Sequence, residues 1–258
     1  MTTKLTFHGV ACYELVSDRG RVLVDPFLKG NISATVTAED IETPDVILAS
    51  HAAWDHMGDA AAVAIRTGAP VICGTDTAAL LRQAGVPDSQ IRLTIWGIQI
   101  RVGQLLVKPV ECRHWSQARL DDGSVISGVP MGFVVEMEPD VSVYHFGDSA
   151  IFSDMKLIRE LHKPTVGLLG CTQPWSLVAP GPGEVITGEM SPNEAALAAE
   201  FLGVRYAVAT HYEDPETPDV QEFLAAVPRH DTSNKRIPLA LRSGQTLVID
   251  DEDFEVQN

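Results

Sequence analysis

The chain has 258 residues, enough for one large domain or two small ones, and its 45% hydrophobic and 6% aromatic content is that of a globular protein with a sizeable core. Nineteen Lys and Arg against 35 Asp and Glu leave a net charge of −16. Such a surface repels phosphate backbones and acidic lipid, so neither nucleic acid nor a membrane is expected as a partner. No apolar run approaches the ~18 residues that read as a spanning helix. The N-terminal MTTKLTFHGVACYEL lacks the basic-then-apolar layout of a signal peptide, so a cytoplasmic location is expected.

The first stretch runs apolar in short bursts, KLTF, ACYELV and RVLVD, punctuated by Gly9 and Gly20, which predicts a β-meander. After DPFLKGN the pattern becomes strand–helix alternation. DVILAS reads as a buried strand, DAAAVAIRTG as a helix, PVICG as a strand, and TDTAALLRQAG as a helix closed by Gly85. From Ile91 to Glu138 strands return as IRLTI, IQIRV, LLVKPVEC and, after the polar loop ARLDDGSVISGVP, MGFVVEM. VSVYHFGD is a strand delivering Asp148, SDMKLIREL a helix with Ser153 as its N-cap, and TVGLLGC a further buried strand.

QPWSLVAPGPGEVITGEM is rich in Gly and Pro and has no period, and loops of that length in a compact domain commonly serve as lids or pocket walls. SPNEAALAAEFLG opens on a capping box, Ser191 to Glu194, and ends on Gly203; YAVAT is the last strand before His211. EDPETPD and DDEDFE read as solvated acidic segments. Two batches of strands, each followed by helices and joined by no low-complexity linker, predict one domain over residues 1–258. Its architecture is an αββα sandwich, two mixed sheets face to face with helices on both outer faces.

Cys12, Cys73, Cys112 and Cys171 are spaced singly, which fits neither a zinc ribbon nor a disulfide framework. They read as small buried hydrophobes, with Cys171, between a strand and the long loop, also placed to line a cleft. The chemistry gathers elsewhere. In VILASHAAWDHMGD a strand runs straight into His51, Asp55, His56 and Asp59; His114 follows VKPVEC, Asp148 ends YHFGD, and His211 ends AVAT. One histidine after a strand is usually a hydrogen-bonded structural residue, and His8 and His145 are read that way. Nitrogen and oxygen donors at four strand ends are what a metal hydrolase needs, since its ligands must converge and still leave room for water. Asp59 reads as the acid that starts the following helix.

These segments resemble the metallo-β-lactamase superfamily, and within it the branch of small metal-dependent hydrolases related to L-ascorbate-phosphate lactonases. LVDPFLKGN, VYHFGDSAIFSDMKLI and EMSPNEAALAAEFLGVRYAVATHYE carry the likeness along with the metal loop, so the landmarks run from Asp25 to Tyr212. The family's loop is H-x-H-x-D-H. The resemblance implies His51, His114 and Asp148 at a first metal, and Asp55, His56, Asp148 and His211 at a second, with Asp148 bridging. Ala53 stands where the middle histidine belongs. A site reduced to three protein ligands holds metal more weakly, because even a lost outer-shell partner costs ~10–100-fold in affinity. An alanine introduced to inactivate the enzyme, and natural divergence to a single-metal enzyme or a non-catalytic relative, both fit that position.

The resemblance further implies one or two divalent ions per chain, Zn²⁺ or Mn²⁺. The expected reaction is hydrolysis of a small cyclic ester or amide by metal-activated water, with Asp55 and Asp148 as the catalytic carboxylates. No nucleophile elbow such as G-x-S-x-G competes with water as the attacking group. A phosphodiesterase acting on a small phosphodiester and a non-catalytic metal or ligand sensor are the alternatives. Trp54, Trp115, Trp175 and Tyr212 are expected to contact substrate, and a homo-oligomer is compatible with such a chain.

Overall fold

Strand periodicity sorts the side chains of the first sheet into two cores. In a computed structural model, which describes residues 2–250 and 253–258, strands β1 (Thr2–Phe7), β2 (Tyr13–Ser17), β3 (Gly20–Val24), β4 (Val46–Leu48), β5 (Val71–Cys73) and β6 (Ile91–Leu93) form most of that sheet. Val22, Val24, Val46, Leu48 and Ile72 point into the large core between the sheets. The alternate residues Leu23, Ile47, Val71 and Cys73 point the other way. There they meet Ala60, Val63 and Ala64 of helix α2 (Ala60–Thr67) and Ala78 and Leu81 of α3 (Thr75–Gln83). Side chains two residues apart share a face, so this division is what burial on both faces requires. A one-turn helix, α1 (Trp54–Met57), precedes α2.

The second sheet comprises β7 (Ile100–Val102), β8 (Leu105–Glu111), β11 (Met131–Glu138), β12 (Val141–His145), β13 (Val166–Gly170), β14 (Tyr206–Thr210) and β15 (Ile237–Leu239). Helices α4 (Met155–His162), α5 (Pro192–Leu202) and α6 (Pro218–His230) accompany it, with α5 packed on β13 and α6 on β14 and β15. The alanine-rich face of α5, Ala195, Ala196, Ala198 and Ala199, is fully buried, and small residues there let helix and sheet approach closely. The αββα sandwich is therefore the observed architecture, and both sheets mix parallel and antiparallel pairs.

The structure corrects several local expectations. ARLDDGSVISGVP is a hairpin rather than a loop, with β9 (Gln117–Arg119) paired to β10 (Val125–Ser127) around Gly123. Three-residue strands with exposed side chains carry too little alternation to be read. YAVAT precedes His211 as expected, yet β15, β16 (Thr246–Asp250) and β17 (Asp253–Gln257) follow it; β16 pairs with β1, completing the eight-stranded sheet. DDEDFE thus runs into an edge strand at Asp253, with Asp251 and Glu252 outside the described residues. EDPETPD ends inside α6, where Asp219 accepts the Thr172 hydroxyl at 2.6 Å. Asp154, not Ser153, holds the N-cap position of α4. The Ser191–Glu194 capping box and the left-handed Gly203 cap of α5 are both present.

Strand direction positions the site. β3 and β4 run parallel, as do β12, β13 and β14, and β8 reaches the same orientation as β12 through two antiparallel pairings with β11. The C-terminal ends of β4, β8, β12 and β14 lead into His51, His114, Asp148 and His211.

Candidate metal centre

Side chains from these strand ends meet around Asp148. Its Oδ2 lies 2.9 Å from His56 Nε2, 3.4 Å from His211 Nε2 and 3.9 Å from His51 Nε2, while His211 Nε2 lies 3.8 Å from Asp55 Oδ2. The His51 and His114 rings stand 5.0 Å apart, edge to face. Donor atoms fall into overlapping groups within 4.8 Å of one another: His51, His56 and Asp148; Asp55, His56 and His211; His114, Asp148 and Glu189. Ala53 ends the extended segment before α1 and supplies no donor.

Partners on the far side of each imidazole decide which nitrogen faces the centre. Asp25 is fully buried and accepts from the Ser50 amide at 2.8 Å, the Ser50 hydroxyl at 2.7 Å and His56 Nδ1 at 2.8 Å. The Ser50 hydroxyl spends its one proton on that carboxylate, so at 3.0 Å it must accept from His51 Nδ1. His211 Nδ1 lies 3.2 Å from the Thr172 carbonyl, which can only accept. All three histidines therefore carry their neutral-state proton on Nδ1 and turn a bare Nε2 lone pair inward, the arrangement that metal-binding histidines adopt. The inward Nε2 atoms of His51, His56 and His211, and Asp148 Oδ1, are buried and have no hydrogen-bond partner. Buried polar atoms left unpaired cost ~1–3 kcal/mol each, and a divalent cation is the group that would satisfy all of them. The residues present fit a metal.

Electrostatics agree. Burial by itself would raise Asp25, but His56 and His145 overcome it and hold the carboxyl down at about 2. Burial would likewise raise Asp148, and His211 and His56 hold it well below the carboxylate range. Burial and the neighbouring His56 push His51 down to about 3, whereas Asp148 overcomes burial to carry His211 up to about 9. His56 is also raised, against burial, by Asp148 and Asp25. The buried carboxylates thus demand positive charge at the inward nitrogens, and protons or a cation can meet that demand.

Backbone strain accompanies the site. Asp25, Asp148 and His211 have φ of +41°, +64° and +66°, a region that costs non-glycine residues ~1–3 kcal/mol. Gly147, φ +59°, must be glycine, since a Cβ there would sit 2.2 Å from the Met131 carbonyl oxygen. His211 is braced by Val10, whose carbonyl accepts from its amide at 2.7 Å and from the Thr210 hydroxyl at 2.9 Å.

The residues expected to touch substrate divide. Trp54, Trp115 and Trp175 are 57%, 67% and 41% exposed, Trp54 packing edge-on against Phe27 and Trp115 standing 6.0 Å from His114. Tyr212 corrects the expectation: it is 1% exposed, and its hydroxyl donates to the Leu241 carbonyl at 2.6 Å and accepts from the Leu241 amide at 2.8 Å. Nothing of it remains for a ligand. Cys171 is buried in the core and lines no cleft. Asp59 is the N-cap residue of α2, but its carboxylate accepts from the Leu28 and Lys29 amides, fixing the DPFLKGN turn. His8 pairs with Glu14 at 2.9 Å, and His145 is buried 3.5 Å from Asp25.

Sequence reading missed Asp25 and Ser50, although the D-P-F segment was marked, because no spacing rule links residue 25 to residue 56. It also missed Glu189, one acid in a loop without periodicity.

The matching family model, Beta-lactamase superfamily domain, covers residues 20–212, which includes every donor named above. A UPF0173 metal-dependent hydrolase of Rubrobacter xylanophilus is 38% identical over 212 residues, 81% of each chain, and one of Desulfitobacterium hafniense is 32% identical over 257 residues, 95% of this chain and 98% of that one. Among solved structures, Igni18, a metallo hydrolase of the archaeon Ignicoccus hospitalis, superposes with a TM-score of 0.76 at 26% identity, covering 98% of this chain and 100% of its own. Sequence, fold and the convergence of donors at one sandwich rim agree, and the chain belongs to the metallo-β-lactamase superfamily.

Proposed function

We propose that this metal-dependent hydrolase opens a small cyclic ester or amide of the lactone type, with water as the attacking group. The observation that carries the reading is the set of buried imidazoles with Nδ1 engaged and Nε2 unpaired around Asp148. His51, His114 and Asp148 would hold one ion, and Asp55, His56, Asp148 and His211 the other, zinc or manganese. A divalent ion bound there supplies Lewis acidity and lowers the pKa of water towards neutrality.

Asp55 is the carboxylate suited to move a proton. Burial would raise it, yet the neighbouring His211, 3.8 Å away, and the His56 charge keep it below its usual range, and its side chain is still 17% exposed. It therefore stands ionised at neutral pH, able to take a proton from water and pass it to the leaving group. Asp148 lies deeper, within 3.9 Å of the inward nitrogens of His56, His211 and His51, and would be shared by both ions. The cysteines offer no competing nucleophile, since all are buried and burial pushes each thiol up. Trp54, Trp115 and Trp175 would wall an apolar mouth suited to a small uncharged ring, and the net charge of −16 disfavours a polyanion.

The test is a panel of lactones and small phosphodiesters offered to protein reconstituted with zinc or manganese. Lactone turnover that chelator removes and metal restores supports the reading. Turnover of phosphodiesters alone would transfer the site to that substrate class. Full metal load with no turnover of either points to the sensor.

A further inference from the structure

We propose that Glu189 is a metal ligand of the first site, standing in for the imidazole that Ala53 lacks. The inference rests on the metal-centre reading above and adds a ligand that the H-x-H-x-D-H pattern does not contain. The carboxylate comes from the far end of the long loop after β13, yet its Oε1 lies 4.0 Å from His114 Nδ1; its Oε2 stands 3.8 Å from His211 Nδ1, the nitrogen turned away from the centre. Its donor atoms group with those of His114 and Asp148, two of the residues assigned to the first site, within 4.8 Å.

The position is built rather than incidental. Gly188 packs so tightly that a Cβ would sit 2.6 Å from the Thr172 carbonyl oxygen, Met190 is buried in the core, and Ser191 opens the capping box of α5. Glu189 is thus held from both sides within a loop that otherwise has little regular structure. Its side chain is 15% exposed, and Gln173 Nε2 donates to it at 3.2 Å. Beside it Asp148 presents a buried, unpaired Oδ1. Two carboxylates facing each other in a part-buried space repel, and burial together with Asp148 pushes Glu189 above its ordinary value. A cation between them reverses the sign of that interaction.

The exchange has a chemical consequence. With Glu189 the first site offers two imidazoles and two carboxylates, restoring four protein ligands. Carboxylate oxygen suits manganese and imidazole suits zinc, so replacing one by the other shifts the site's preference towards manganese.

The experiment measures metal per chain by elemental analysis, and Mn²⁺ and Zn²⁺ affinity by chelator competition, on the parent protein, Glu189→Gln, Glu189→Asp, and Glu189→Gln combined with Ala53→His. Circular dichroism melting in chelator reports folding. Glu189→Gln is expected to retain the second-site ion and to bind the other ~10–100-fold more weakly. Adding Ala53→His should restore that ion with the preference moved towards zinc. Glu189→Asp, which keeps the charge and withdraws it by one methylene, should also lose affinity, and it covers the case in which the amide variant folds poorly. Unchanged stoichiometry and affinity in Glu189→Gln, while Asp148→Ala strips the metal, would overturn the assignment and leave the metal centre standing. A loss that Ala53→His does not restore would also overturn it, making Glu189 a positioning residue for His211. A parent protein that takes up neither ion would overturn the metal centre itself.

Discussion

Asp25→Asn tests whether the fully buried carboxylate behind His56 governs the metal centre. Asp25 accepts three hydrogen bonds of 2.7–2.8 Å, from the Ser50 amide, the Ser50 hydroxyl and His56 Nδ1. An amide of the same shape has one acceptor oxygen, so its NH₂ must face either the Ser50 amide or His56 Nδ1. At least one buried donor then loses its acceptor, worth ~1–3 kcal/mol. Removing the charge beside His56 adds to that, since breaking a buried ionic pair costs ~3–5 kcal/mol in total.

The effect on metal is separate. Asp25 holds the His56 proton on Nδ1 and, through Ser50, that of His51, which leaves both Nε2 lone pairs facing inward. Without it the wrong tautomer competes, and affinity should fall ~10–100-fold, or ~1.4–2.7 kcal/mol at 1.36 kcal/mol per decade. Chelator competition gives the metal dissociation constant, and urea unfolding in EDTA gives the metal-free stability. Metal affinity equal to the parent's would refute the tautomer argument, even if stability falls as expected.

Asp148→Ala should strip more metal than His51→Ala, because Asp148 stands within 3.9 Å of three inward imidazole nitrogens whereas His51 serves one side; equal metal content by elemental analysis would remove the bridging role. Ala53→His alone should tighten zinc by ~10-fold or more, since a direct ligand is worth at least as much as an outer partner, and should raise lactone hydrolysis; unchanged zinc affinity would mean that position 53 does not reach the centre. Far from the site, burial opposes but Ser233 and Arg236 hold the Asp231 carboxyl down at about 2. Its contribution to stability is full above ~pH 4, the unfolded value, and is lost as pH falls through about 2. Asp231→Asn should therefore be less stable than the parent at pH 5, with the gap closing near pH 2 in urea titrations; a pH-independent gap would contradict the linkage.

Much of the molecule was legible along the chain. Short apolar bursts and capping signals foretold β1–β5, α2, α3 and α5, because strand alternation and helix caps are local physics written within ten or so residues. Candidate metal donors could be named individually because each follows a recognisable strand, and the resemblance suggested their grouping. Tyr212 shows the limit of that reasoning: it follows a site histidine in sequence, but the left-handed backbone at His211, φ +66°, redirects the chain, and Tyr212 sits in the core with its hydroxyl on Leu241.

Tertiary structure alone decided the rest. Pairing of β16 with β1 joins residues some 240 positions apart, and no local pattern encodes a partner at that distance. The contact between Asp25 and His56, the carbonyl of Thr172 behind His211, and the approach of Glu189 to His114 all depend on strands and loops from distant parts of the chain ending at one rim. Sequence by itself determined which donor residues the chain owns and which elements carry them. Only the packing of two sheets determined which nitrogen each imidazole turns inward and which loop carboxylate approaches His114 and Asp148, because hydrogen-bond direction and charge proximity are properties of assembled space.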